Sequence, residues 1–272
     1  MGLAELDGRL RGLGSVLVAF SGGADSAFLL ARAVRVLGAS RVVAATAVSA
    51  SLPAAELADA AGFAAGLGVR HETPRTDEMA RAGYRANAGD RCFFCKAELL
   101  DVLVPLAGRL GLAHVATGTN ADDAVAGFRP GIRAAAERGA LTPLRAAGLT
   151  KAQVRAASRE MGLPTWDKPA AACLSSRIAY GVTVTPARLA RVERAEAALR
   201  VALAGAGIPV RNLRVRDLGA AGARVEVDAE LVGALVDRPD LLAAVRGFGA
   251  VTVDPHGFRS GALNEALDES YR

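Results

Sequence analysis

Three cysteines are the residues of this 272-residue chain most able to do chemistry: Cys92 and Cys95 in "DRCFFCK", and Cys173 alone in "AACLSSR". The C-x-x-C spacing sets two thiols one helical turn apart at the start of a helix, beside Arg91 and Lys96. A helix start and positive neighbours both depress a thiol's pKa and favour the thiolate, the form that attacks or binds metal. Four uses of the pair stay open. Zinc needs four ligands, yet Cys173, His71, His114 and His256 are scattered without ligand spacing. A redox disulfide lacks its thioredoxin-like context. Two buried structural cysteines are the bland use. The fourth is a 4Fe-4S cluster on Cys92, Cys95 and Cys173, with one iron left without a protein ligand.

The other reactive stretch is Ser21-Gly22-Gly23-Ala24-Asp25-Ser26, directly after an apolar run and directly before a helical one. Glycines let a backbone approach a phosphate, serine hydroxyls add donors, and a helix N-terminus adds oriented N–H groups and a positive dipole end. The stretch reads as an anion cradle. It lacks the lysine of a Walker A loop and the G-x-G-x-x-G of a dinucleotide fingerprint. Asp25 either caps the helix or helps place Mg²⁺.

These residues need a scaffold, and the hydrophobic pattern supplies one. Compact apolar runs at 15–20, 41–48, 69–73 and 113–118 read as strands, alternating with helices over 25–37, 53–67 and 96–110. Such alternation predicts an α/β fold with a doubly wound parallel sheet, whose ligands bind at the carboxyl ends of the strands. A helix capped by Thr150 closes this part, and two prolines in 162–169 end it. Beyond lie a long helix from Thr185 to about Leu203, two alternating strands, two short helices and a strand at "AVTVD". The predicted division is a nucleotide domain over 1–180 and a smaller C-terminal α+β domain over 181–272, for substrate binding and oligomerisation.

Composition narrows the class. Half the chain is apolar and 4% aromatic, the net charge is +5, and Lys96, Lys151 and Lys168 are the only lysines among 33 basic residues. An excess of arginine suits anionic ligands such as nucleotides. The N-terminus has no long apolar core and no run of about 20 apolar residues exists to span a membrane, so a cytoplasmic location is expected. In that compartment cysteines serve metal or catalysis before disulfides.

The string S-G-G-x-D-S resembles the PP-loop of ATP pyrophosphatases, of the HUP or adenine nucleotide alpha hydrolase-like fold. The resemblance implies ATP with Mg²⁺, pyrophosphate on Ser21, Gly22, Gly23 and Ser26, and adenine against the loop holding Ser51. It further implies that Asp122 and Asp123, in the stretch with Gly118 and Asn120, orient the metal. "SASLPAAELA", the run 122–155, "DKPAAACLSSRIAYG" and "GFRSGALNEAL" extend the likeness, in order and over nearly the whole chain. Together they resemble the LarE family of ATP-dependent sulfur transferases. Members serve the nickel-pincer nucleotide cofactor of lactate racemase. The likeness implies that a carboxylate of pyridinium-3,5-biscarboxylic acid mononucleotide is adenylylated, and that sulfur then displaces AMP to give a thiocarboxylate.

Two sulfur sources occur in that family. Either the cysteine matching Cys173 gives up its own sulfur, or three cysteines hold a 4Fe-4S cluster whose open iron carries a hydrosulfide replenished from sulfide or a cysteine-derived donor. The presence of Cys92 and Cys95 favours the second. The resemblance further implies a homo-oligomer. Ser176 and Arg177 are expected beside the reacting sulfur, Arg214 and Arg216 on one strand face to grip a substrate phosphate, with Arg259 near the end. Glu196 is preferred over Glu193 as the glutamate aimed at the site, and Asp254 either joins them or caps a turn. Arg129, Glu137 and Lys151 are pocket candidates. The rivals are a PP-loop tRNA thiolase, an amidating synthetase and a non-enzymatic sulfur carrier. The thiolase wants a basic platform with stacking aromatics, which are too few here, so nucleic acid is not an expected partner.

Overall fold

The computed structural model describes residues 2–125, 130–169, 172–259 and 261–263. The chain forms two compact units, one of Met1–Arg81 and Asp90–Ala171, the other of Ala82–Gly89 and Ala172–Arg272. The division therefore falls at 171/172 and not at 180/181, and eight residues upstream of Cys92 belong with the C-terminal part. Asn87 explains the detour. Its backbone sits in the left-handed region at φ 56°, and its amide donates to the carbonyls of Ala179 and Val182 at 2.8 Å each. Asn87 itself is fully buried, and its amide finds its partners in those carbonyls, which ties the segment 82–89 to the C-terminal part.

In the first unit, strands β1 (Val16–Ala19), β2 (Val42–Ala45), β3 (Arg70–Glu72) and β4 (Val115–Thr117) form a parallel sheet in the order β3-β2-β1-β4. Strand side chains alternate faces. Val16 and Val18 pack with Phe28 and Leu29 of the Ala24–Leu37 helix and with Leu6 and Leu10; Leu17 and Ala19 pack with Leu100 and Leu103 of the Arg91–Arg109 helix. Both faces are thus covered, which is why the strands read as continuous apolar runs. The chain winds from β1 through β2 to β3 on one side and reaches β4 on the other. The switch point lies at the carboxyl end of β1, where Ser21 begins the glycine loop.

The N-terminal Leu3–Leu13 helix carries no element in the sequence reading, yet it buries Leu6 and Leu10 completely. The helix bearing the C-x-x-C begins at Arg91, five residues before the expected Lys96, and runs through Pro105. Thr150 caps the Lys151–Glu160 helix with a full capping box to Gln153, which satisfies two otherwise orphaned donors.

The second unit sets the Pro186–Gly205 helix against β5 (Leu213–Asp217), β6 (Ala223–Val227) and β7 (Val251–Val253). β5 and β6 are antiparallel, β6 and β7 parallel. Its core is aliphatic, with Leu199 and Leu203 on the helix meeting Leu213, Val215, Val225 and Val227. Among the described residues no helix is long and apolar enough to cross a membrane.

Candidate functional site

A cleft of about 330 Å³ opens in the first unit at the carboxyl ends of β1, β2 and β4. The glycine loop forms its floor. Ser26 Oγ donates to the Gly23 carbonyl at 3.1 Å, accepts from the Ser21 N–H at 3.3 Å, and lies 3.1 Å from Ser21 Oγ. These weak internal bonds knit the loop while leaving donors that a phosphate can take over. Gly22 holds φ +73°, and a side chain there would meet Ala60 and Glu56. Gly118 is tighter: a Cβ on it would stand 2.8 Å from Ser26 N and 2.9 Å from Ser26 Cα. Thus β4 and the start of the Ala24–Leu37 helix approach backbone to backbone, and only glycine permits it.

Asp25 is the electrostatic centre of this cleft. Its Oδ1 is buried with no hydrogen-bond partner among the described residues. Burial raises its pKa above the usual carboxylate value, Lys151 and a hydrogen bond from Asn120 pull it back, and Asp123 pushes it up again. A buried, unpartnered carboxylate oxygen beside a second carboxylate fits a divalent cation, which takes oxygen ligands and cancels the repulsion. The stretch after β4 divides its labour. Asn120 and Asp123 exchange backbone-to-side-chain bonds at 3.1 and 3.2 Å, while Asp122 Oδ2 accepts from the Lys151 N–H at 2.8 Å. Asp123 lines the cleft, and Asp122 takes the first N–H of the Lys151–Glu160 helix.

The side chain of Ser51 turns to Glu78. Its hydroxyl and that of Ser49 both donate to Oε1 of Glu78, at 2.5 and 2.6 Å, and Thr76 donates to Oε2 at 3.3 Å. Glu78 is only 3% exposed, so this carboxylate fixes the loop after β2 from behind. From that loop Leu52 lines the cleft, with Thr46 on the strand end and Leu99 across from them. Thr46 Oγ1 donates to the Phe20 carbonyl at 2.7 Å and lies 2.8 Å from His71 Nε2. Because the hydroxyl proton goes to Phe20, His71 must carry its proton on Nε2; burial holds its pKa down and the ring neutral.

Lys96 enters the same cleft from the cysteine helix. Burial lowers its pKa, while Cys95, Cys92 and Asp123 act in the opposite sense. Cys92 is exposed and Cys95 half-buried, in the first turn of that helix. Within each unit, among the described residues, no three His, Cys, Asp or Glu side chains gather as a metal cluster requires. Two thiols come from the first unit and the third belongs to the second.

In the second unit Cys173 precedes a single 3₁₀ turn, Leu174–Arg177. Its carbonyl accepts from Ser176 Oγ at 2.7 Å and from Arg177 Nη1 at 3.0 Å. Arg177, 3% exposed, pairs with Glu196 through Nε at 2.9 Å and Nη2 at 3.2 Å, and also donates to the Ala172 carbonyl. Glu196 additionally accepts the Val215 N–H at 3.0 Å. Arg216 pairs with Glu226 at 2.6 Å and donates to the Ser176 carbonyl at 2.6 Å. Arg214 is buried over the Phe258 ring; burial, with Arg177 beside it, lowers its pKa to about 10. Arg259 is exposed, and Asp254 caps its turn by accepting the His256 N–H at 2.9 Å. Arg129, Ser260 and residues 264–272 lie outside the described residues. Sequence reasoning does not find Glu78, and it takes Lys96 only as a neighbour of the thiols and not as a wall of the cleft.

No family model matches the chain. It is 34% identical over 271 residues to the pyridinium-3,5-bisthiocarboxylic acid mononucleotide synthase of Lactiplantibacillus plantarum, covering 98% of this chain and 95% of that protein. It is 44% identical over 260 residues to the uncharacterized protein slr1717 of Synechocystis sp., covering 94% of each. A more distant likeness, 24% over 185 residues, joins it to the uncharacterized protein MJ0830 of Methanocaldococcus jannaschii, over 68% of this chain and 66% of that one.

Proposed function

Because the chain belongs to the family of the pyridinium-3,5-bisthiocarboxylic acid mononucleotide synthase, we propose that it is an enzyme that transfers sulfur to pyridinium-3,5-biscarboxylic acid mononucleotide, using ATP to activate the carboxylate. The observation that carries this reading is the glycine loop closed against Gly118 over a buried, unpartnered Asp25 oxygen. A carboxylate is a poor acyl donor. Its oxygen attacks the α-phosphorus of ATP, the bond to the β-phosphate oxygen breaks, and pyrophosphate leaves. Sulfur then adds to the acyl carbon of the mixed anhydride and AMP departs with the bonding pair, leaving a thiocarboxylate. Ser21, Gly23 and Ser26 hold the pyrophosphate end through N–H and hydroxyl donors, and Asp25 with Asp123 suits Mg²⁺. The walls at Thr46, Leu52 and Leu99 take the base, with Ser51 serving them through Glu78. Arg214 supplies a buried cation for the substrate phosphate.

For the sulfur, Cys92, Cys95 and Cys173 offer three thiolates of the kind that bind iron–sulfur clusters, and a 4Fe-4S cluster held there would supply an exchangeable sulfur ligand. Lys96 beside the first two thiols favours their ionised form. A second reading rests on the loop of Cys173, whose carbonyl is pinned while its thiol is half-buried and not disulfide-linked: there Cys173 itself gives up sulfur.

The test is anaerobic purification with iron and sulfide analysis, followed by turnover with ATP and the pyridinium mononucleotide. Pyrophosphate release that depends on the mononucleotide, with a product in which sulfur replaces oxygen, is the expected result. ATP turnover indifferent to the mononucleotide would sink the assignment. Bound iron with Cys173 intact by mass spectrometry supports the cluster, and loss of one sulfur from Cys173 supports the sacrificial route.

A further inference from the structure

Only 3 of the 33 basic residues are lysines, and all three stand around the glycine loop of the first unit. Lys96 lines the cleft beside Asp123. Lys151 is tied to the stretch after β4 by its N–H, which donates to Asp122 Oδ2 at 2.8 Å; its side chain is exposed, and it is the cation that most lowers the pKa of Asp25. Lys168 lies behind the loop: its Nζ sits 2.8 Å from Glu56 Oε2 and 3.2 Å from Asp59. That same Glu56 oxygen stands 3.9 Å from where a Cβ on Gly22 would be. The other thirty are arginines, and of these Arg155 also acts on Asp25, less than Lys151 does. The two are not equivalent: a guanidinium is a broad planar fork, whereas an ammonium is a compact point charge that turns its three donors toward any phosphate oxygen. The loop lacks the lysine that a Walker A sequence carries within itself.

We propose that these three lysines supply from outside the loop the positive charge that the triphosphate needs. Lys96 and Lys151 face the β- and γ-phosphates across Asp123 and Asp25. Lys168 is a positioning residue that cancels Glu56, a carboxylate that would otherwise repel the phosphates at Gly22. This inference rests on the nucleotide reading of the cleft and assigns to it residues that the glycine-loop motif does not contain.

A chain with three lysines allows a clean footprint. Acetylation of the lysine amines by acetic anhydride, followed residue by residue with mass spectrometry, is expected to slow about fivefold or more at Lys96 and Lys151 with ATP or inorganic pyrophosphate, and much less with AMP. By calorimetry, Lys168→Gln is expected to weaken ATP binding about tenfold while sparing AMP, as an uncancelled charge a few ångströms from the phosphates would. Glu56→Gln added to Lys168→Gln is expected to restore most of that loss, which simple misfolding would not allow. Unchanged acetylation in protein that binds ATP overturns the inference, as does a double variant no better than Lys168→Gln. Failure of the unmodified protein to bind ATP removes the nucleotide reading itself and this inference with it.

Discussion

Gly118→Ala tests whether the glycine loop depends on backbone contact with β4. A Cβ at position 118 would lie 2.8 Å from Ser26 N, 2.9 Å from Ser26 Cα and 3.1 Å from the Asp25 carbonyl carbon. Ordinary carbon contacts begin near ~3.5 Å, so one backbone must retreat by about half an ångström or more. Neither can do so freely. β4 is held by β1, and Ser26 opens a helix whose Ala27 and Phe28 are fully buried. Overpacking of this kind costs ~1–3 kcal/mol, and with backbone on both sides we expect ~2–3. The transition of the first unit should then fall by about 5–10 °C. Displacing the loop also misaims its donors, so ATP affinity should drop at least about tenfold. Gly62→Ala is the control: it lies inside the Ala54–Gly66 helix with nothing within 4 Å of a new Cβ, and should stabilise by ~0.5–1 kcal/mol. Denaturant unfolding and isothermal titration with ATP read both effects. A Gly118→Ala protein with stability and ATP affinity indistinguishable from the parent would refute the contact and its role.

Two further predictions follow from charge. Burial raises the pKa of Asp25 above 3.8, so the native state holds that proton more tightly than the unfolded chain, and stability falls as pH rises from 3.8 through the native value. Asp25→Asn should therefore be more stable than the parent at neutral pH, equal to it below pH 3.8, and defective in Mg²⁺-dependent ATP binding; pH-dependent unfolding curves that coincide throughout would count against this. Asp217, fully buried, behaves oppositely. Burial pushes its pKa up, but bonds from Arg191, Gly219 N–H and Arg188 outweigh burial and hold it below 3.8. Its contribution is complete above 3.8 and disappears as pH falls through the native value. Asp217→Asn should cost ~3 kcal/mol at neutral pH, the low end because Arg188 and Arg191 remain 30% and 29% exposed. That deficit should shrink in acid, as urea titrations of the second unit would report.

The sequence made the parallel sheet and the glycine loop legible because both are local: short apolar strands alternate with helices, and the six loop residues are contiguous. What escaped was long-range. Glu78 is 27 positions from Ser51, and nothing in "DEMA" reveals that its carboxylate turns inward. The Ser51 hydroxyl is thereby a tether for the loop after β2. The Leu3–Leu13 helix escaped because only Leu6 and Leu10 carry its burial, too few to outweigh its glycines and charges. The segment 82–89 escaped because its membership in the second unit depends on Asn87 satisfying carbonyls more than ninety residues away.

The arginines of the second unit show what residue type alone leaves out: the partners each guanidinium already holds. Arg177 and Arg216 sit at positions suited to gripping a phosphate, yet their guanidinium nitrogens already bond Glu196 and Glu226 on one side and the carbonyls of Ala172, Cys173 and Ser176 on the other. A carboxylate-paired guanidinium keeps its charge and gives up little of it to a newcomer. A phosphate that engaged Arg177 or Arg216 would have to displace those carbonyls, and so would move the turn that carries Cys173. Arg214 Nη1 donates to the carbonyl of its own neighbour Leu213 at 2.8 Å, and Arg177 and Arg216 both press on its charge. An anion there relieves that repulsion. Arg177 and Arg216 therefore hold the Cys173 loop still through one buried network, and the substrate-phosphate role proposed for Arg214 would place the anion beside that network.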